Sequence, residues 1–254
     1  MAPAKKEVAT TTENEIAVLS EMPEWMKGMQ EDNSGNEDVG KDDLIIPRLA
    51  IVQAISPELD KNDPAYIPGA ENGMMFNTLT RELMTEIMVI SIKFEKPFLL
   101  WRDRKKGGGF GGQYPTTEEA DAARSAFENP AEWEITDTPT NLCIAIPADG
   151  SKPYEIAIPL PKSKAKVSRS WNSLIRLAGG PRFGRIYKIT PCDDKNSTGE
   201  KYKNFKVELA GFPSEALFKM AQELYKLVDA GELKYQPDYS DESTTTAEAD
   251  KPAF

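Results

Sequence analysis

Thr140-Asn-Leu-Cys-Ile-Ala-Ile-Pro147, Ala148-Asp-Gly-Ser151 and Tyr154-Glu-Ile-Ala-Ile-Pro-Leu160 read as two apolar strands with a turn between them. That hairpin sets an antiparallel sheet, and the sequence on either side supplies more of it. Upstream, Glu86 to Trp101 is a long strand in which Ile87, Val89 and Ser91 alternate with Met88, Ile90 and Ile92; Pro97 bends or ends it. Met74 to Thr80 forms another strand, and Leu44 to Ile55, interrupted by Pro47, an edge or bent one. Downstream, strands are expected over Arg185 to Pro191 and Tyr202 to Gly211. In the latter, Phe205, Val207 and Leu209 face one way and Lys206 and Glu208 the other.

Three helices intervene. Thr116 to Phe127 carries Thr117 as its N-cap and Glu118 and Glu119 in its first turn. Ser163 to Gly179 is amphipathic, with Val167, Trp171, Leu174, Ile175 and Ala178 on one face and Lys166, Arg169 and Arg176 opposite; Gly179-Gly-Pro181 ends it. Ser214 to Ala230 buries Leu217, Met220, Leu224, Leu227 and Val228. Short strands with intervening helices predict an α+β chain around an antiparallel sheet or small barrel.

The 254 residues divide into an acidic arm (1–43), a folded domain (44–234) and an acidic tail (235–254). The arm holds Lys5, Lys6, Lys27 and Lys41 against eleven acids, and both termini are expected to be disordered. The arm's apolar patch, Ile16 to Met29, suits docking on a partner or on the chain's own core. Overall the chain is −10 and 39% hydrophobic. No apolar run approaches the roughly 20 residues of a membrane span. Polar sequence follows Met1-Ala-Pro-Ala-Lys-Lys6 instead of a signal-peptide core, so a cytoplasmic location is expected. With no histidine and only Cys143 and Cys192, the chain lacks the commonest general base and metal ligand. No GxxxxGK[ST] phosphate loop is present, so neither an enzyme nor a cofactor is expected.

Between Lys162 and Lys188 the acidic chain carries eight basic residues and no Asp or Glu: Lys162, Lys164, Lys166, Arg169, Arg176, Arg182, Arg185 and Lys188. Cations interleaved with rings suit a flexible polyanion with exposed bases. Lys166, Arg169 and Arg176 are expected to meet phosphates, and Phe183 and Tyr187, beside exposed Arg182 and Arg185, to stack on bases; Trp171 is assigned to the core. A second cluster, Arg102-Asp-Arg-Lys-Lys-Gly-Gly-Gly-Phe-Gly-Gly-Gln-Tyr114, reads as a flexible loop. Arg102, Arg104, Lys105 and Lys106 lie at its base and Phe110 at its tip, with Trp101 and Tyr114 as anchors. A third, Lys201, Tyr202 and Lys203, alternates like an exposed sheet face. Against these stands the plainer reading of solvated cations, core aromatics and a mobile hairpin tip.

The tail, Pro237 to Phe254, sets Asp238, Asp241, Glu242, Glu248 and Asp250 against Lys251. This architecture, the basic–aromatic surface and a tail running to Ala249-Asp-Lys-Pro-Ala-Phe254 resemble the T7-type phage single-stranded DNA-binding proteins and, more loosely, bacterial ones. The tail is diluted by Ser243, Thr244 to Thr246 and Lys251. The resemblance covers 43 to 254. It implies an OB-like β-barrel, protection of single-stranded DNA during replication, and recruitment of phage replication proteins through Asp241, Glu242, Glu248, Asp250 and Phe254. It also places the protein in the host cytoplasm, with a homo-oligomer compatible. Rival readings are a recombination or annealing accessory protein and a virion or host-takeover interaction protein.

Overall fold

The computed structural model describes residues 34–40, 44–196 and 199–231, so most of the arm and all of the tail lie outside the described residues. The chain forms two units, 1–40 and 41–254. In the first, the described residues form turns. The second is mixed α and β, with three antiparallel sheets and, among the described residues, three α-helices.

The largest sheet has five strands in the order β11-β10-β4-β8-β9: β4 (Ile87–Glu95), β8 (Thr140–Ile146), β9 (Tyr154–Pro159), β10 (Ile186–Lys195) and β11 (Lys201–Gly211). The predicted hairpin is β8–β9, in register from Thr140↔Pro159 to Ala145↔Tyr154. This sheet is open, with β11 and β9 as its two ends. The expected OB-like barrel is therefore not what forms. β4 shows the physical reason: Ile87 and Val89 join one apolar cluster while Ile90 and Ile92 join another. A strand apolar on both sides must be covered on both sides.

Helices do the covering. On one face, α2 (Ala165–Ala178) inserts Trp171 with Val167 and Ile175. Beside it, β1 (Leu49–Ile51) and β2 (Met75–Asn77) add Leu49, Ile51 and Met75 over Val89, Cys143, Ile156 and Tyr187. Trp171 is fully buried, as the helical spacing predicts, with its ring edge-on to Tyr187 at 5.6 Å. On the other face, α3 (Glu215–Asp229) packs Ala221, Leu224 and Val228 over Ile90, Ile92, Leu142 and Ile144. Leu174, Met220 and Leu227, expected on apolar helix faces, are exposed, as is Leu209.

Two three-stranded sheets complete the unit. One joins β1, β2 and β3 (Leu83–Met84). The other sets β5 (Phe98–Arg102) between β6 (Phe110–Tyr114) and β7 (Trp133–Asp137), beside α1 (Thr117–Ser125). The long predicted strand thus divides at Lys96-Pro97 into β4 and β5. Half of the expected glycine-rich loop is strand β6. Trp133, stacked on Phe127 at 4.0 Å, lies over Gly111, where a Cβ would fall 2.6 Å from the ring. The α1 cap is Thr116 rather than Thr117: its side chain accepts from the Glu119 N–H at 3.2 Å. Among the described residues no helix is long and apolar enough to cross a membrane.

Candidate nucleic-acid interface

The acid-free stretch folds as a short 3-10 turn (Lys162–Lys164), α2, a second turn (Arg182–Gly184) and the start of β10. Its cations meet acids that come from elsewhere in the chain. Lys162 pairs with Glu134 of β7 at 3.2 Å and Lys166 with Asp194 of β10 at 2.6 Å. Lys203 pairs with Asp193 at 2.8 Å, and Arg102 with Glu132 at 2.7 Å. Charge that is separated along the sequence is thus partly recombined by the fold. Arg169 and Arg176 remain exposed on the outer side of α2, and Lys105, Lys106 and Lys201 are exposed on their own elements. Lys164 sits 5.1 Å from the centre of the Phe205 ring. Arg104 lies in the turn Arg104–Lys106.

Asp194 ties α2 to the β10–β11 hairpin. Its carboxylate accepts from Lys166 Nζ at 2.6 Å, Asn204 Nδ2 at 2.7 Å, Tyr202 OH at 2.9 Å and the Lys195 N–H at 2.8 Å. These donors, Lys166 and then Asn204 foremost, hold its carboxyl well below the usual carboxylate range. Tyr202 is therefore a structural hydrogen bonder rather than a bare stacking platform. A depressed folded pKa contributes stability that is complete above the unfolded value, about 3.9. It is lost as pH falls through the folded value. Asp194→Asn is expected to lower the thermal midpoint at pH 7 and to flatten its decline on acidification below about pH 4. Unfolding scans of both proteins from pH 7 to 2 check this, and parallel acid profiles would contradict it.

The cations and rings at the far end of α2 depart from expectation. Phe183 and Tyr187, predicted as stacking rings, are buried at 7% and 1% exposure. Phe183 packs on Phe218 and Tyr225 of α3, and Tyr187 on Trp171. Tyr187 is a core residue because β10 is the second strand of a sheet covered on both faces, and Phe183, in the turn before β10, because α3 closes over it. Arg182 is held inside the protein by neutral oxygens. Its Nε donates to Ser91 Oγ at 2.8 Å, and its Nη2 to Asn141 Oδ1 at 2.6 Å and Asn172 Oδ1 at 2.7 Å. Burial draws its pKa below the ordinary guanidinium value. Arg185 stacks 4.3 Å over the Phe212 ring while donating to the Gly184 and Ala178 carbonyls at the end of α2. It thus satisfies a helix C-terminus, where a cation is favoured.

One ring pair lies beside the basic helix. On β5 and β6, Trp101 stands opposite Phe110 with ring centroids 5.1 Å apart, both partly exposed. Glu134 stands opposite Trp101 across β7, so all three side chains share a face of that sheet. Because Lys162 reaches Glu134, this face adjoins the foot of α2. Tyr114 turns aside instead, donating from its hydroxyl to the Gly111 carbonyl at 2.9 Å. Sequence reasoning missed Glu134, Asp194 and the Ser91–Asn141–Asn172 triad; no local signal marks them, since each partner is 10 to 91 positions away. Asp241, Glu242, Glu248, Asp250 and Phe254 lie outside the described residues.

A family model described as Pam3 phage gp34-like protein matches residues 11–234, and the chain belongs to that bacteriophage family. No curated protein matches it, and no solved structure does.

Proposed function

We propose that this member of the Pam3 phage gp34-like family binds single-stranded DNA with little base preference, as a phage replication protein that shields exposed strands without catalysing a reaction. The observation that carries the reading is the junction of the Trp101–Phe110 pair with α2 through the Lys162–Glu134 ion pair. A strand laid along this surface would place bases on the rings and phosphates along Arg169 and Arg176, with Lys105 and Lys106 between the two rings in sequence. Phosphate contacts carry no sequence information and stacking accepts any base, so affinity without specificity follows. The acidic stretch from Asp238 to Asp250 supports the further proposal that the tail recruits replication proteins.

Phe110→Ala should weaken binding of a labelled oligo-dT by about 5- to 150-fold, the value of about 1–3 kcal/mol of stacking per base. Arg169→Glu with Arg176→Glu should weaken it as well and reduce its salt dependence, since two cations are lost from the phosphate path. The charge-reversed variant should keep the wild-type melting temperature, because exposed charges contribute little to folding. Wild-type affinity in both variants would move the interface elsewhere.

A further inference from the structure

The edge of the five-stranded sheet is closed at one end and open at the other. Among the described strands β11 pairs only with β10. At Lys203 the outward backbone is occupied by a side chain acting as a short strand: Gln53 Nε2 donates to the Lys203 carbonyl and Gln53 Oε1 accepts from the Lys203 N–H, both at 2.8 Å. The next outward N–H, that of Phe205, donates to Asn204 Oδ1 at 2.9 Å. The ladder runs without a shift from Lys201 to Leu209, so Val207 and Leu209 also direct their backbone groups away from β10. Among the described hydrogen bonds none closes the edge at those two residues.

Exposed apolar residues border this open segment. Leu209 is 54% exposed and Phe212 is 70% exposed. On α2, whose last residue, Ala178, shares Arg185 with the Phe212 ring, Leu177 is 84% exposed and Leu174 40%. An open edge with large apolar neighbours is a template for another strand.

We infer that β11 pairs antiparallel with β11 of a second copy of this chain, on a two-fold axis at Val207, joining two five-stranded sheets into one. The charge pattern selects both the occupant and the register. With Val207 opposite Val207, Lys206 of each copy stands opposite Glu208 of the other, and Phe205 opposite Leu209. Within one chain these charges already pair, at 2.8 Å. Shifting the axis to residue 208 would place Glu208 against Glu208, which like-charge repulsion opposes. The available donors fit as well: Val207 N–H can bond the Val207 carbonyl of the second copy, and Leu209 N–H the Phe205 carbonyl. Gln53 ends the pairing beyond. The two-fold of an antiparallel pair is perpendicular to the sheet, so both α2 helices would lie on one side of the joined sheet. The inference does not rest on the DNA-binding reading, since the pairing edge is β11 whereas that reading uses Arg169 and Arg176 of α2 and the Trp101–Phe110 pair.

Sedimentation equilibrium of the full chain across a series of protein concentrations tests it. Wild type is expected to form dimers. Lys206→Glu and Glu208→Lys should each raise the dissociation constant about tenfold or more, through like charges placed opposite each other. The double variant, Lys206→Glu with Glu208→Lys, should restore it. Val207→Pro removes an outward N–H and no β10 bond, so it should yield a folded monomer with wild-type circular dichroism. Monomeric wild type at every concentration overturns the inference and leaves the edge to a foreign strand or to solvent. So does a dimer indifferent to Val207→Pro, or a double variant no stronger than the singles. If Val207→Pro misfolds, the charge-swap series alone decides.

Discussion

Replacing Trp171 with alanine is expected to lower the unfolding free energy by about 3–5 kcal/mol, the usual cost of truncating a fully buried aromatic. Trp171 is at 0% exposure on the inner face of α2 and touches the ring of Tyr187, so the loss removes the largest side chain between helix and sheet. Surrounding groups cannot close the space. Val89, Cys143 and Ile156 are fixed by the ladders of β4, β8 and β9, and a rigid sheet leaves a cavity rather than collapsing. For a domain of ordinary stability, about 5–15 kcal/mol, this is a large fraction of the total. Urea unfolding followed by circular dichroism measures it, and a loss under about 1 kcal/mol would place the ring outside the core.

Arg182→Met is expected to be nearly as damaging, for a polar reason. The guanidinium is the donor for Ser91 Oγ and Asn141 Oδ1, both in residues at 0% exposure, and for Asn172. Without it, Asn141 Oδ1 keeps only the Ser91 hydroxyl as a donor, at 3.4 Å, and both oxygens lose a charged partner. At about 1.5–3 kcal/mol per hydrogen bond to a charged group, the two together lose about 3–6 kcal/mol. Arg182→Lys should recover part of this, because one ammonium cannot span the fork geometry of a guanidinium. Arg185→Glu, by contrast, should cost much less, since Arg185 lies over the exposed Phe212 ring. If Arg182→Met melts with the wild type, Arg182 is a surface cation after all.

The hairpin β8–β9, the division at Pro97, and all three helices were legible because each rests on local pattern: alternation, a proline or a cap. The barrel was not. The run Ile87 to Ile92 is apolar on both faces, a signal of a sheet covered on both sides, whereas the strand pattern leaves sheet and small barrel both open and the family resemblance implies the barrel. The glycine run hid β6, since glycine disfavours strands unless a large ring must approach, as Trp133 does at Gly111. At the site, helix periodicity fixed Lys166, Arg169 and Arg176 outward and Trp171 inward. It could not show that Glu134 and Asp194 would come to meet the basic stretch, nor that Arg182 would turn into the protein. Those contacts are made across 10 to 91 positions and depend on the finished sheet.

Binding of fluorescent single-stranded dT and dA oligonucleotides, against a duplex of equal length and across a series of salt concentrations, tests the central claim most directly. The account predicts tighter binding of single strands than of duplex and similar affinity for dT and dA. It also predicts a log–log salt slope of about −0.7 per phosphate neutralised. Equal affinity for the duplex, or binding indifferent to salt, would contradict it.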